Sequence, residues 1–268
     1  MRRRGAVSVL TLVRAAALYS LPTGLDDITV REPCFTREDG FDRLVARREV
    51  ALLDDDDGGD CAGDWTHGAV WRGGELLAHH VLAAGGAEVV RAKVVLELGS
   101  GTGIAGLAAA AAGAAAVVLS DAEPARAAES LARNPAYAPR VVASELRWGD
   151  AAQLRLSAAL VGDANGGARA SLFDVVLAAD VVYPSASARV VEALLTTVRD
   201  ALFGAHGVAM LCYVERSTNT TARLHEHLGA LGCRCSRQQV ARHVWIYKLD
   251  RWPTGAAEGN RPCVVVTA

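Results

Sequence analysis

The chain has 268 residues, 51% of them hydrophobic and 22% charged, with a formal net charge of −2. That balance excludes a disordered chain and leaves room for one large α/β domain with a sizeable core. It lacks the basic excess that nucleic-acid binding requires, and no apolar run reaches the ~20 residues needed to cross a bilayer, so neither a nucleic acid nor a membrane is an expected partner. The six cysteines lie at positions 34, 61, 212, 233, 235 and 263. Only Cys233 and Cys235 are close, which makes neither a disulfide framework nor a metal site and points to reduced thiols in the cytoplasm.

The first twenty residues, MRRRGAVSVLTLVRAAALYS, carry Arg2, Arg3, Arg4 and Arg14, and no acid precedes Asp26. This composition is compatible with a transit segment for a mitochondrion or another organelle, or with an element that covers the core. From Thr23 to Leu53 charged and apolar residues alternate, which predicts a few short strands. DDDDGGD, residues 54–60, is an acidic glycine-containing loop, read as solvated rather than metal-binding.

Regular alternation of helices and strands follows. GGELLAHHVLAAG predicts a helix with Leu76, Leu77, His80 and Val81 on one side, and KVVLEL a buried strand. IAGLAAAAAG reads as a helix of small residues, AAVVLSD as a second strand, and PARAAESLARN as a helix with Pro124 near its first turn. VVASELRW and FDVVLAAD read as the third and fourth strands. SASARVVEALLTTVRDALF keeps a helical period through Val190, Val191, Leu194, Leu195, Val198 and Leu202. GVAMLCYV is a fifth strand and STNTTARLHEHLGALG a helix, with His225 and His227 expected on a solvated face. CRCSRQQVARHVWIYKLDR closes the series as a two-strand hairpin.

The chemistry concentrates at VVLELGSGTGIAG, Val94 to Gly106. A strand that enters a glycine-rich turn and then a helix lets backbone approach a nucleotide-like ligand and directs helix N–H groups at it. Two readings fit. GTGIAG is a G-x-G-x-x-G, the fingerprint of dinucleotide-binding oxidoreductases. ELGSGTG, with Glu97, Gly99, Gly101 and Gly103, is also the turn of enzymes that use S-adenosylmethionine. Glu97 tips the balance, because a carboxylate there would repel a pyrophosphate and could attract the α-ammonium of a methionyl group. Asp121 ends the second strand and is placed for ribose hydroxyls in either class; a plain helix-start aspartate is the alternative. Trp148 lies just beyond the third strand, where an adenine ring would lie, and Trp71 precedes a helix that could close over a ligand. Asp180 and Tyr183 form a D-x-x-Y at the carboxyl edge of the fourth strand. The short hairpin ending, in place of a second βαβαβ half, favours a methyltransferase over an oxidoreductase.

In these elements, from about Gly68 to Tyr247, the sequence resembles methyltransferase family 16, the methyltransferase-like protein-lysine methyltransferases of the seven-β-strand class. GAVW before an apolar helix, VLELGSGTGIAGL, VVLSD with Asn134 beyond it, LRWG, DVVLAADVVY and CYVER, with Tyr213 and Arg216, carry the resemblance. It implies a class I methyltransferase: an α/β, Rossmann-like, doubly wound seven-stranded sheet with a terminal antiparallel hairpin, plus a small N-terminal β-rich extension. The expected limits are an extension at 1–65, an S-adenosylmethionine-dependent methyltransferase domain at 66–252 and a tail at 253–268. By resemblance, S-adenosylmethionine would meet Trp71, Glu97, Gly99, Ser100, Gly101, Gly103, Asp121, Trp148 and Ala179. Asp180 and Tyr183 would be catalytic beside a lysine side chain of a protein substrate, the enzyme acting as a monomer. A histidine or small-molecule N-methyltransferase is the nearest alternative, with an oxidoreductase or a non-catalytic adaptor further off. The segments before Gly68 and after Arg251 depart from the family pattern and leave the target open.

Overall fold

A computed structural model describes residues 70–162, 172–183, 186–202 and 206–252, together with three short strands outside that span. Two of these, β1 (Phe35–Arg37) and β2 (Leu44–Ala46), lie in the alternating segment expected to hold short strands, and they pair antiparallel. The arginine-rich start, the acidic loop 54–60 and Gly68 lie outside the described residues.

The main element order is α1 (Arg72–Leu82), α2 (Ala84–Val90), β3 (Val94–Leu98), α3 (Ile104–Ala111), β4 (Ala116–Asp121), α4 (Ala125–Ala132) and β5 (Val141–Glu145). It continues with α5 (Ala151–Val161), β6 (Val175–Ala179), α6 (Ala188–Ala201), β7 (Val208–Val214), α7 (Thr218–Ala230), β8 (Arg234–Ala241) and β9 (Val244–Asp250). The strands form one sheet in the order β10-β8-β9-β7-β6-β3-β4-β5, where β10 is Val265–Thr267. Strands β3 to β7 run parallel, and β9 enters antiparallel between β7 and β8. The seven expected strands are therefore present in a doubly wound order. An eighth, β10, lies parallel on the outer side of β8 and was not expected.

Strands β3 and β4 are buried along their whole length, which is why VVLEL and AVVLSD read as continuous apolar runs rather than alternating ones. Their side chains still divide by period two. Val95, Val117, Leu119, Val175 and Leu177 join α1, α2 and α3 on one face. Leu96, Leu98, Val118, Val176 and Ala178 join α5, α6 and α7 on the other. On α6, Val191, Leu194, Leu195, Val198 and Ala201 are buried, and each Val or Leu stabilises the layer by about 1.5–3 kcal/mol relative to an exposed position.

Three details depart from the sequence reading. The first predicted helix breaks at Ala83 into α1 and α2. Helix α5, to which the reading assigned nothing, starts where the Asp150 carboxylate accepts the N–H groups of Ala152 and Gln153, an ordinary N-cap. His225 is not a solvated residue: its Nε2 lies 2.8 Å from the Tyr247 hydroxyl, half-buried between α7 and β9. The thiols of Cys212, Cys233 and Cys235 are buried.

Candidate active site

Strand β3 ends in a turn in which Gly99, Gly101 and Gly103 all have positive φ, at 62°, 51° and 78°. At Gly99 the need for glycine is also steric: a Cβ would stand 2.7 Å from Val181 Cγ1 and 3.1 Å from Trp148 Cζ2. The indole of Trp148 and the segment after β6 thus close on the turn from two sides. The turn is stitched to β4. Ser100 N–H donates to Ser120 O at 2.9 Å, and Gly103 N–H donates to Ser100 O at 2.7 Å. The Ser120 hydroxyl donates to Glu97 O at 2.7 Å.

Glu97 requires a correction. The sequence reading has it facing a ligand ammonium, but the side chain is buried and Oε2 accepts the N–H of Gly106 at 2.8 Å. It caps the first turn of α3 from beneath. Burial pushes its carboxyl up to about 8, against the lowering effect of the Gly106 and Ala105 N–H groups. Gly106 has no room for a side chain, since a Cβ there would overlap Leu119 and come 2.7 Å from Glu97 Oε2. The third glycine of GTGIAG therefore serves the packing of α3 on β3 and β4.

Asp121 is also committed to backbone. Its Oδ2 accepts Gly101 N–H at 2.9 Å and its Oδ1 accepts Glu123 N–H at 3.1 Å. It fixes the middle of the glycine turn and the exit from β4 together. Ser100 Oγ is buried and has no hydrogen-bond partner among the described residues. Beyond β5, Gly149 N–H donates to Thr197 Oγ1 at 2.8 Å, which ties the LRWGD corner carrying Trp148 to α6.

The other half of the edge is built by side chains. Asp180 follows Ala179 with φ at 57°, a left-handed value for a non-glycine residue. Its N–H donates to Cys212 O at 2.9 Å. Its side chain is 2% exposed and forms a fork-to-fork pair with Arg216, Nη1 to Oδ1 at 2.5 Å and Nη2 to Oδ2 at 2.7 Å. The sequence reading has Asp180 waiting for an amine; the structure gives its carboxylate to Arg216. The guanidinium carbon of Arg216 also lies 6.0 Å from the centroid of the Trp71 ring, at the start of α1. Tyr183 stands 46% exposed on the same rim. Arg216 belongs to the CYVER segment, and its link to Asp180 spans 36 residues, a distance over which spacing carries no signal.

Helix α1 holds two further polar residues that no motif in the sequence marks, Glu75 and His79, one turn apart and both buried. Burial pushes Glu75 up to about 7, partly offset by Arg72, and pushes His79 down to about 4. Among the described residues no cluster of three or more His, Cys, Asp or Glu could hold a metal, and no helix is long and apolar enough to cross a membrane.

A sheet of this order, with a glycine turn after its central strand and acids at the ends of the two strands that flank it, defines a class I methyltransferase. Residues 53–227 match the family model described as lysine methyltransferase, and the chain belongs to that family. It is a methyltransferase, and S-adenosylmethionine as cofactor is consistent with the family. No curated protein matches the chain in sequence. Solved structures that resemble it include a 16S rRNA methyltransferase of T. thermophilus in complex with AdoMet and guanosine. That match has 22% identity and a TM-score of 0.47, covering 70% of this chain and 45% of the other. A ribosomal-protein methylase of Lactobacillus delbrueckii subsp. bulgaricus matches at 14% identity and a TM-score of 0.45, covering 67% and 79%. A TehB-like SAM-dependent methyltransferase of Corynebacterium glutamicum matches at 14% and 0.43, covering 77% and 95%.

Proposed function

We propose that the chain methylates a lysine side chain of a protein, with S-adenosylmethionine as donor. The observation that carries this reading is a juxtaposition at one sheet edge: a backbone-stitched glycine turn on β3 beside a buried carboxylate, Asp180, at the end of β6. The family to which the chain belongs supports the choice of lysine.

The residues fit the donor. The turn from Gly99 to Gly103, with the unused Ser100 Oγ, would hold its methionyl end; Asp121 would face the ribose, and Trp148 and Ala179 the adenine side. Trp71 would cover the site from α1, whereas Glu97 would act only by holding α3 in place. When bound, S-adenosylmethionine supplies an electrophilic methyl group on a sulfonium and departs as a neutral thioether.

The chain's own residues then manage the acceptor. A free lysine has a pKa near 10.4, so its amine must lose a proton before its lone pair can form the new N–C bond. Asp180 holds the arriving ammonium and directs it, and the released proton passes to that carboxylate or through it to water. Tyr183 forms an exposed wall of the entrance and limits the direction of approach. These roles make catalysis chiefly a matter of position and electrostatics.

The test is to incubate the protein and labelled S-adenosylmethionine with a proteome extract, then locate the label by mass spectrometry. Label on a lysine of a discrete protein is expected, and Asp180→Ala should remove it while S-adenosylhomocysteine still binds. Label on histidine or on small molecules alone would replace the lysine reading.

A further inference from the structure

The pairing of Asp180 with Arg216 bears on which acceptors the site admits, given the reading of Asp180 as the residue that holds the amine. The two partners differ in freedom. Asp180 is fixed by its left-handed backbone, by its N–H on Cys212 O and by contact with α1, where a Cβ on Gly73 would stand 2.9 Å from its own. Its side chain is 2% exposed. Arg216 is 30% exposed and reaches Asp180 from the segment after β7 on a long flexible stem. The guanidinium is thus the member that can leave. The Trp71 ring, 6.0 Å from its carbon, already touches it through cation–π attraction and can keep that contact when Asp180 is released.

We propose that Arg216 is the specificity-determining residue of the acceptor site: its guanidinium occupies Asp180 as a stand-in for the acceptor, and only an acceptor that arrives as a cation exchanges with it. The reason is charge conservation in a buried place. A buried carboxylate stripped of its cationic partner is strongly disfavoured, whereas one cation replacing another leaves the balance unchanged. A protonated lysine side chain meets that condition. An imidazole neutral at physiological pH, a hydroxyl or a carboxamide does not, because each would leave Asp180 with neutral donors only. After exchange the ammonium gives its proton to Asp180, as above, and Arg216 returns when the product leaves.

Two measurements test the exchange. In the first, wild-type protein saturated with S-adenosylhomocysteine is treated with phenylglyoxal, and modification of Arg216 is followed by mass spectrometry. Saturating n-butylammonium should raise the modification rate at least ~3-fold, and the same concentration of sodium ion should not. An unchanged rate overturns the proposal. In the second, Arg216→Ala and Arg216→Lys are compared in the labelled proteome assay. Arg216→Ala should label histidine or other neutral side chains alongside lysine, and Arg216→Lys should restore lysine alone. Lysine-only labelling by Arg216→Ala overturns the proposal and leaves the lysine reading intact. Failure of the wild type to label lysine overturns the lysine reading, and the phenylglyoxal rate then decides the exchange by itself. If Arg216→Ala does not fold, that same rate decides the matter.

Discussion

At the carboxyl ends of β3 and β4, Glu97 and Asp121 commit their oxygens to backbone N–H groups, whereas at the end of β6 Asp180 commits both of its oxygens to one arginine side chain. A backbone donor cannot withdraw without unwinding the turn that carries it. An arginine can withdraw by rotating its own stem. The first region is therefore a rigid cradle whose shape precedes any ligand, and the second is a charge pair open to exchange. Both lie on one edge, so the proposed site would join a fixed part to a replaceable one.

The contrast breaks most completely if the space beneath the cradle is filled. Gly106→Leu drives a side chain into Leu119 and the Glu97 carboxylate. It should cost roughly 3 kcal/mol or more, at or beyond the upper end of ordinary overpacking, and abolish S-adenosylhomocysteine binding. Thermal unfolding and equilibrium binding measure both, and a variant with wild-type values would show that α3 does not need the close approach.

Asp121→Ala should have the next largest effect. It releases Gly101 N–H and Glu123 N–H from a charged acceptor, bonds worth about 1.5–3 kcal/mol each at most. The expected result is S-adenosylhomocysteine binding weakened ~10–100-fold, while Arg216→Ala changes it less than ~3-fold. Equal losses in the two variants would erase the distinction between cradle and pair.

A smaller effect comes from pH. Burial raises the folded-state values of Glu97, to about 8, and Glu75, to about 7, above the ordinary 4.5. Stability linked to their protonation is fully present below that ordinary value and is lost as pH rises through the raised ones. His79 works oppositely: its value is lowered from 6.5 to about 4, so its contribution is present above the first and lost as pH falls through the second. Wild-type melting temperature should accordingly decline from about pH 4.5 up to the Glu97 value, offset in part by His79 below 6.5. Glu97→Gln, whose amide oxygen can still accept Gly106 N–H, should flatten the upper part of that decline by about 1–2 kcal/mol. The same slope in the variant would assign the loss elsewhere.

Much of this was legible beforehand, for identifiable reasons. Strands such as VVLEL and VVLAA announce themselves because both faces are covered. Helix α6 does so because its buried residues form one stripe. Helix α5 did not, because it buries only Leu154 and Ser157 and leaves Leu156 and Leu160 exposed at 67% and 56%. Its one signal was Asp150 at the N-cap. The three residues of β10 are too few to show any period.

The sequence by itself determined the glycine turn, the succession of core strands and helices along the chain, and the acids at the strand ends. Those properties follow from local backbone freedom and from runs or stripes of apolar side chains, which are written in neighbouring letters. Tertiary structure alone decided where the acids point: Glu97 inward to α3, Asp121 to the turn, Asp180 to Arg216. A carboxylate takes whichever donor the fold brings within about 3 Å, and for Asp180 that donor comes from a segment 36 residues away.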